Sequence, residues 1–294
     1  MDLRHIRYFL AVAEERNFTR AAQRVGIGQP PLSQQIKDLE GELGLQLFRR
    51  TPQGAELTEA GEAFRRSVET LPLQAADAVR QAQRAARGET GLLRLGFTAS
   101  SSLSPTMPMA TQRFRSAYPE VELTLVEGSS AAMGAAVRDG ALDAAFLRPG
   151  SIDLSTLHVH DLGEEPMLAV APASHPAVRD EDDTLDLQAL RDEPLLLTPR
   201  AIGPTVFDAA VGACRASGFE PTIGQPAPQL TTVVALVAAG MGFSILPQSL
   251  ARLHLPGVAF RSIAGVRPVA RLGLVYRDRA PTTVRNFLGV LRAL

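Results

Sequence analysis

The sequence predicts an α/β chain: an N-terminal winged helix-turn-helix, a long linker helix, and a two-subdomain α/β domain of the periplasmic-binding-protein type. Three observations carry this. Apolar residues recur at three- and four-residue spacing from Leu3 to Leu47, a second helical stretch runs from Thr58 to Arg87, and short apolar runs alternate with helical segments from Gly91 onward. At 294 residues the chain is too long for one ordinary small domain and comfortable for two or three.

The first region holds three short amphipathic helices. Their apolar stripes are Leu3, Ile6 and Leu10, then Ala21, Ala22 and Val25, then Leu32, Ile36, Leu39 and Leu43. The breaks fall at Asn17-Phe18-Thr19, where Thr19 is expected to cap the second helix, and at Gly26-Ile27-Gly28. Pro30 and Pro31 open the third helix, where the first amides lack helical partners anyway. Thr51-Pro52-Gln53-Gly54 is a turn between two short strands, so the region ends in a β-hairpin.

Thr58 then caps a helix expected to reach Arg87 and stop at Gly88. Phe64, Val68, Leu71, Ala75, Ala78 and Ala82 step by 4, 3, 4, 3 and 4, the seam of a two-stranded coiled coil, which predicts dimerisation there. Packing on the helix's own domain is the alternative, and Pro72 is expected to kink or split the helix.

Beyond Gly91, strands are expected at Leu92–Phe97, Val121–Val126, Leu142–Leu147, Met167–Ala171, Leu195–Thr198, Phe243–Leu246 and Ala270–Tyr276. Helices are expected at Pro105–Ala117, Ser130–Asp139, Thr205–Ser217 and Leu230–Ala239. That alternation argues for mainly parallel sheets in two subdomains. The working boundaries are 1–58, 59–88 and 89–294, with one subdomain at 89–164 and 266–294 and the other at 165–265.

Composition excludes several classes. Hydrophobic residues make up 45% and charged residues 21%, as in ordered globular proteins. The first residues, Met1-Asp2-Leu3-Arg4, are charged where a signal peptide is apolar, and the longest uncharged stretch, Pro221 to Ala251, is broken by prolines and glycines. A cytoplasmic chain with no membrane partner is expected. Cys214, the single cysteine, reads as a small buried hydrophobe. Net charge is −1, and residues 1 to 58 hold eight Arg or Lys against seven Asp or Glu, so any nucleic-acid contact must come from placement of charge.

Placement is informative on the third helix. Gln29, Ser33 and Lys37 lie four apart on one face with Gln34 beside them, while Leu32, Ile36 and Leu39 face the core. Gln bonds adenine bidentately, Ser reaches base or phosphate, and Lys favours guanine or phosphate, so this face suits a major groove. A solvated face is the plainer alternative; position as the second helix of a helix-turn-helix, behind Pro30 and Pro31, favours DNA. Thr19, Arg20, Arg49 and Arg50 are placed for phosphate contact.

No Ser/His/Asp set, Gly-rich phosphate loop or Cys/His cluster occurs at useful spacing, so catalysis is not expected. His158 and His160 share one side of a strand without a third ligand, so no metal or cofactor is expected, and Asp180-Glu181-Asp182-Asp183 reads as a solvated loop.

The runs from Phe9 to Ala22, Gln29 to Glu40, and Leu45 to Arg50 through Leu57 to Gly61 resemble the N-terminal signature of LysR-type transcriptional regulators. The likeness continues in Arg94-Leu95-Gly96-Phe97, Gly140 to Ala145, Pro166 to Ala171 and Val237 to Pro247. It implies a dimer of dimers that binds an imperfect palindrome in double-stranded promoter DNA, meets RNA polymerase, and changes the DNA bend when a small-molecule inducer enters the cleft between subdomains. Family members often carry Arg where this chain has Gln34, and Pro72 is a second departure.

The resemblance places the inducer at Ser100, Ser101, Ser102, Ser129, Ser130, Arg148, Thr198, Pro204, Thr205 and Val206. Strand carboxyl ends and helix N-termini agree with that placement. Arg148 among hydroxyls suggests a bidentate carboxylate, hence a small organic or aromatic acid; helix capping accounts for part of the serine cluster. A transporter-linked solute-binding protein shares the cleft architecture, but residues 1 to 87 and the charged N-terminus argue against it.

Overall fold

A computed structural model describes residues 1–52, 54–150, 153–178 and 183–294. Gln53 of the expected turn and residues 180–182 of the expected acidic loop lie outside the described residues. The chain divides into two compact units, Met1–Arg84 and Ala85–Leu294.

In the first unit, α1 (Leu3–Glu15), α2 (Phe18–Val25) and α3 (Gln29–Leu43) precede a hairpin of β1 (Phe48–Thr51) and β2 (Gly54–Leu57). Phe9, Val12, Ala21, Leu32, Ile36, Leu39 and Leu47 meet in one core. Phe9 lies 5.2 Å from Phe48 and 4.9 Å from Phe64 between ring centroids, tying the first helix to the hairpin and to the helix that follows it. The cap of α2 differs from expectation. Asn17 Oδ1 accepts from the amides of Thr19 at 2.9 Å and Arg20 at 3.1 Å, so Asn17 is the cap and Thr19 sits inside the helix, exposed. An amide side chain at an extended residue just ahead of the helix satisfies two orphan donors that a cap at Thr19 would leave unmet.

The expected continuous linker is two helices. α4 (Glu59–Val68), capped by Thr58 Oγ1 on the Gly61 amide at 3.0 Å, ends before α5 (Leu71–Ala86), in which Pro72 occupies the first turn. Pro72 therefore splits the stretch rather than kinking it, because its ring blocks the carbonyl four residues back. The seam divides as well. Phe64, Val68 and Leu71 pack on the first unit's own core, whereas α5 carries no buried residue within the chain and exposes Leu73 and Val79.

The second unit contains β3 (Thr90–Phe97), α6 (Ala99–Leu103), α7 (Thr106–Ala117), β4 (Glu120–Glu127), α8 (Ser130–Arg138) and β5 (Ala144–Leu147). These are followed by β6 (Leu157–Pro172), β7 (Thr184–Leu185), α9 (Pro204–Ala216) and α10 (Leu230–Ala238). The chain closes with β8 (Ser244–Pro247), β9 (Val258–Ile263), β10 (Val269–Arg277) and α11 (Thr282–Arg292). Strand order is β4-β3-β5-β10-β6-β9-β7, with β8 also paired to β6. The expectation of mainly parallel sheets is corrected: β3 pairs in parallel with β4 and β5, and β7 with β9, but β10 runs antiparallel to β5 and β6, and β6 antiparallel to β8 and β9.

The reason is the long β6. β6 begins ten residues ahead of the expected Met167–Ala171 strand, and eight of those ten pair with β10, so β6 and β10 run from one subdomain into the other as an antiparallel ribbon. One subdomain buries Phe114, Phe146 and Phe287 around β3, β4 and β5; the other buries Val170, Phe243, Ile245 and Leu246 around β6 and β8. Leu195–Thr198 is not a strand: Leu195 makes isolated bridges to Ile223 and Phe243, and the segment departs toward the cavity described below. Cys214 is fully buried on α9, as expected.

Candidate functional site

On α3, Leu32, Ile36 and Leu39 are buried, and Gln29, Ser33 and Lys37 form the opposite, accessible face. Gln29 Nε2 donates to Ser33 Oγ at 2.8 Å, and Gln34 Nε2 donates to Asp38 Oδ1 at 2.8 Å, so both amides are braced along the helix. Gly28 starts α3 in extended conformation without a side-chain cap. Pro30 and Pro31 follow at once, and since neither carries an amide hydrogen the helix end offers few donors to a phosphate. The start of this helix therefore presents side chains rather than amides.

The basic residues are unequal. Arg20 donates to the Glu15 carbonyl at 2.7 Å and lies 3.6 Å from its carboxylate, and Arg49 pairs with Glu56 across the hairpin at 3.1 Å. Arg50 instead stands 5.4 Å over the Phe18 ring, and neither Arg50 nor Lys37 has an acidic partner among the described residues.

In the second unit, a cavity of about 470 Å³ opens where the carboxyl ends of β3, β4 and β5 face the starts of α9 and α10. Seven of the ten expected residues line it: Ser100, Ser129, Ser130, Arg148, Thr198, Thr205 and Val206. Three do not. Ser101 Oγ is turned to the Thr98 carbonyl at 2.8 Å as part of the α6 cap, Ser102 Oγ donates to the Ala99 carbonyl at 2.7 Å, and Pro204 is buried at the first turn of α9. Capping explains two of the three adjacent serines, since hydroxyls at a helix start serve the backbone first.

Arg148 is also engaged within the chain. It is almost fully buried, and its guanidinium donates to the Ala270 carbonyl at 3.0 Å, to Ser100 Oγ at 3.3 Å and to the Glu165 carboxylate. Glu165 in turn accepts from the Ser249 amide at 2.6 Å, and Ser249 Oγ donates to the Ser100 carbonyl at 3.2 Å. Arg148 thus binds the two crossing strands to α6 instead of holding a bidentate fork open for a ligand. Sequence reasoning missed Glu127, Ile202, Gln229 and Leu230, which also line the cavity. Glu127 was within reach of the strand-end rule, as it is the last residue of β4; the others depend on how the two subdomains meet.

His158 Nε2 lies 3.1 Å from Asp278 and its ring stacks on Tyr276, while burial and the Arg292 charge lower the His160 pKa. Burial pushes the Cys214 thiol up to about 11. No described helix is long and apolar enough to cross a membrane.

Comparison with known proteins decides the family. Residues 3–62 match the profile "Bacterial regulatory helix-turn-helix protein, lysR family", and residues 86–294 match "LysR substrate binding domain". The chain belongs to the LysR family of transcriptional regulators. This LysR-type regulator is 35% identical over 291 residues to the HTH-type transcriptional regulator AlsR of Bacillus subtilis (strain 168), spanning 99% of this chain and 95% of AlsR. It is 38% identical over 292 residues to IlvR of Caulobacter vibrioides, spanning 98% and 96%. The fold matches full-length CbnR complexed with its target DNA, with TM-score 0.81, 26% identity and coverage of 100% and 99%. The LysR-type protein is a DNA-binding transcriptional regulator with an effector-binding domain, not an enzyme.

Proposed function

We propose that this LysR-type regulator acts in the cytoplasm as a dimer of dimers, binding promoter DNA through residues 1–58 and changing the DNA bend when an inducer occupies the cavity of residues 89–294. The inducer is a small organic or aromatic acid, and RNA polymerase is the downstream partner. The observation that carries this reading is the open cavity between two subdomains that share the β6 and β10 strands, because closure of such a cleft reorients the parts it connects.

Contact with DNA is assigned to Gln29, Pro30, Pro31, Ser33, Gln34 and Lys37 on α3, with Thr19, Arg20, Arg49 and Arg50 on the flanking backbone. Residues 59–88 are assigned to self-association, supported by the exposed Leu73 and Val79 on an otherwise unburied α5.

Titration of the purified protein against the DNA upstream of its own gene, at several salt concentrations and with unrelated competitor DNA, tests the reading. Protection of a discrete, competitor-resistant site is the expected result; binding that is weak, salt-sensitive and blind to sequence at every promoter tried overturns it.

A further inference from the structure

Two charged side chains, Glu127 and Arg148, line the cavity. They are in opposite states. Arg148 is already matched by the Glu165 carboxylate and spends its remaining contacts on Ala270 and Ser100. Glu127, at the end of β4, is exposed to the cavity mouth with no hydrogen bond or ion pair among the described residues. The uncompensated charge of the lining is therefore negative, which does not favour a ligand that is only an anion.

The opposite wall has different chemistry. α9 and α10 begin there, at Gly203 and Gln229, and neither has a side-chain cap. Helix starts of this kind attract a carboxylate. A second, independent feature points the same way. Thr198 is 5% exposed and lines the cavity, yet its hydroxyl has no partner within the chain. That oxygen is open to the cavity, where a ligand oxygen can take its hydrogen bond. Ile202, Val206 and Leu230 add an apolar wall.

Resting on the inducer reading above, we propose that the ligand is a zwitterion, an aliphatic α-amino acid whose ammonium group meets Glu127 and whose carboxylate meets the Thr198 hydroxyl and the α9 and α10 starts. The apolar wall takes the side chain. A plain carboxylic acid of the same shape lacks the group that Glu127 selects.

Calorimetric titration of the full-length protein with the standard L-amino acids, and with the des-amino acid matching each binder, decides it. At least one aliphatic amino acid binds, its des-amino acid binds about tenfold more weakly, as expected for one charge pair worth about 1.4 kcal/mol, and Glu127→Gln narrows that gap to within about threefold. Circular dichroism of Glu127→Gln confirms that the variant is folded. Equal or tighter binding of the des-amino acid, or no amino-acid binding at millimolar concentration, overturns the proposal. Ile202→Trp, which fills the cavity from a half-exposed position, separates the two readings: des-amino acids that bind and are lost in this variant leave the cleft reading standing without the zwitterion, whereas probes that bind it unchanged remove the cleft itself.

Discussion

Arg148 and Glu165 form a buried ion pair, with side chains 3% and 17% exposed, between the end of β5 and the middle of β6. Removing one partner leaves the other charge desolvated and unmatched, at a cost of about 3–5 kcal/mol. Arg148→Leu and Glu165→Leu are each expected to lower the urea midpoint of the second unit strongly, and the double variant Arg148→Leu/Glu165→Leu to recover most of the loss. Strictly additive effects would show that the two residues do not act as a pair.

Gly54 begins β2 with φ +137°, and a Cβ there would sit 2.2 Å from the Arg16 carbonyl oxygen. That oxygen is already engaged by the Ala55 amide at 2.9 Å, and Arg16 itself ends α1 in the left-handed conformation. Neither backbone can retreat, so Gly54→Ala is expected to destabilise the first unit by about 1–3 kcal/mol and to weaken DNA binding with it. A thermal melt of the first unit indistinguishable from the parent's would contradict this.

Lys37 has no acidic partner among the described residues, while Arg49 is paired with Glu56. Lys37→Ala is expected to reduce the slope of log binding constant against log salt by about 1. The neutral deletion Arg49→Ala/Glu56→Ala is expected to reduce the slope by less than Lys37→Ala does, because Arg49 is already partly matched by Glu56 and both charges leave together. Salt titrations of operator binding read both, and equal slopes for Lys37→Ala and the parent would remove Lys37 from the phosphate contacts.

Cys214 is fully buried, and burial raises its thiol from 9.0 to about 11. The folded pKa lies above the unfolded one, so the contribution is complete below about pH 9 and is lost as pH rises toward 11. The native protein is expected to resist thiol reagents at pH 8 until denaturant is added, and Cys214→Ala to flatten the alkaline decline in stability. Rapid labelling of the native thiol at pH 8 would refute the buried assignment.

Much of the fold was legible in periodicity. The three N-terminal helices, the hairpin, the break at Pro72 and most of the strands follow from local spacing and from turn and cap residues, because those signals act within a few positions. The cap at Asn17 was missed although Asn is as good a cap as Thr, because choosing between residues two apart requires the backbone angles. Seven cavity residues were found from the strand-end rule and the family resemblance, and Ser101, Ser102 and Pro204 failed because side-chain direction within a short helix start is not encoded in spacing.

By itself, then, the sequence determined the order of elements, the apolar core faces and the family, through patterns that a single helix or strand must satisfy. Tertiary structure alone decided that β6 and β10 run antiparallel through both subdomains, that Arg148 is matched by Glu165, and that Glu127 and Thr198 are left without partners in one cavity. Pairing across 17 residues, like the convergence of Glu127 and Thr198 from 71 residues apart, depends on which strands meet, and strand pairing is a choice made by the packed chain as a whole.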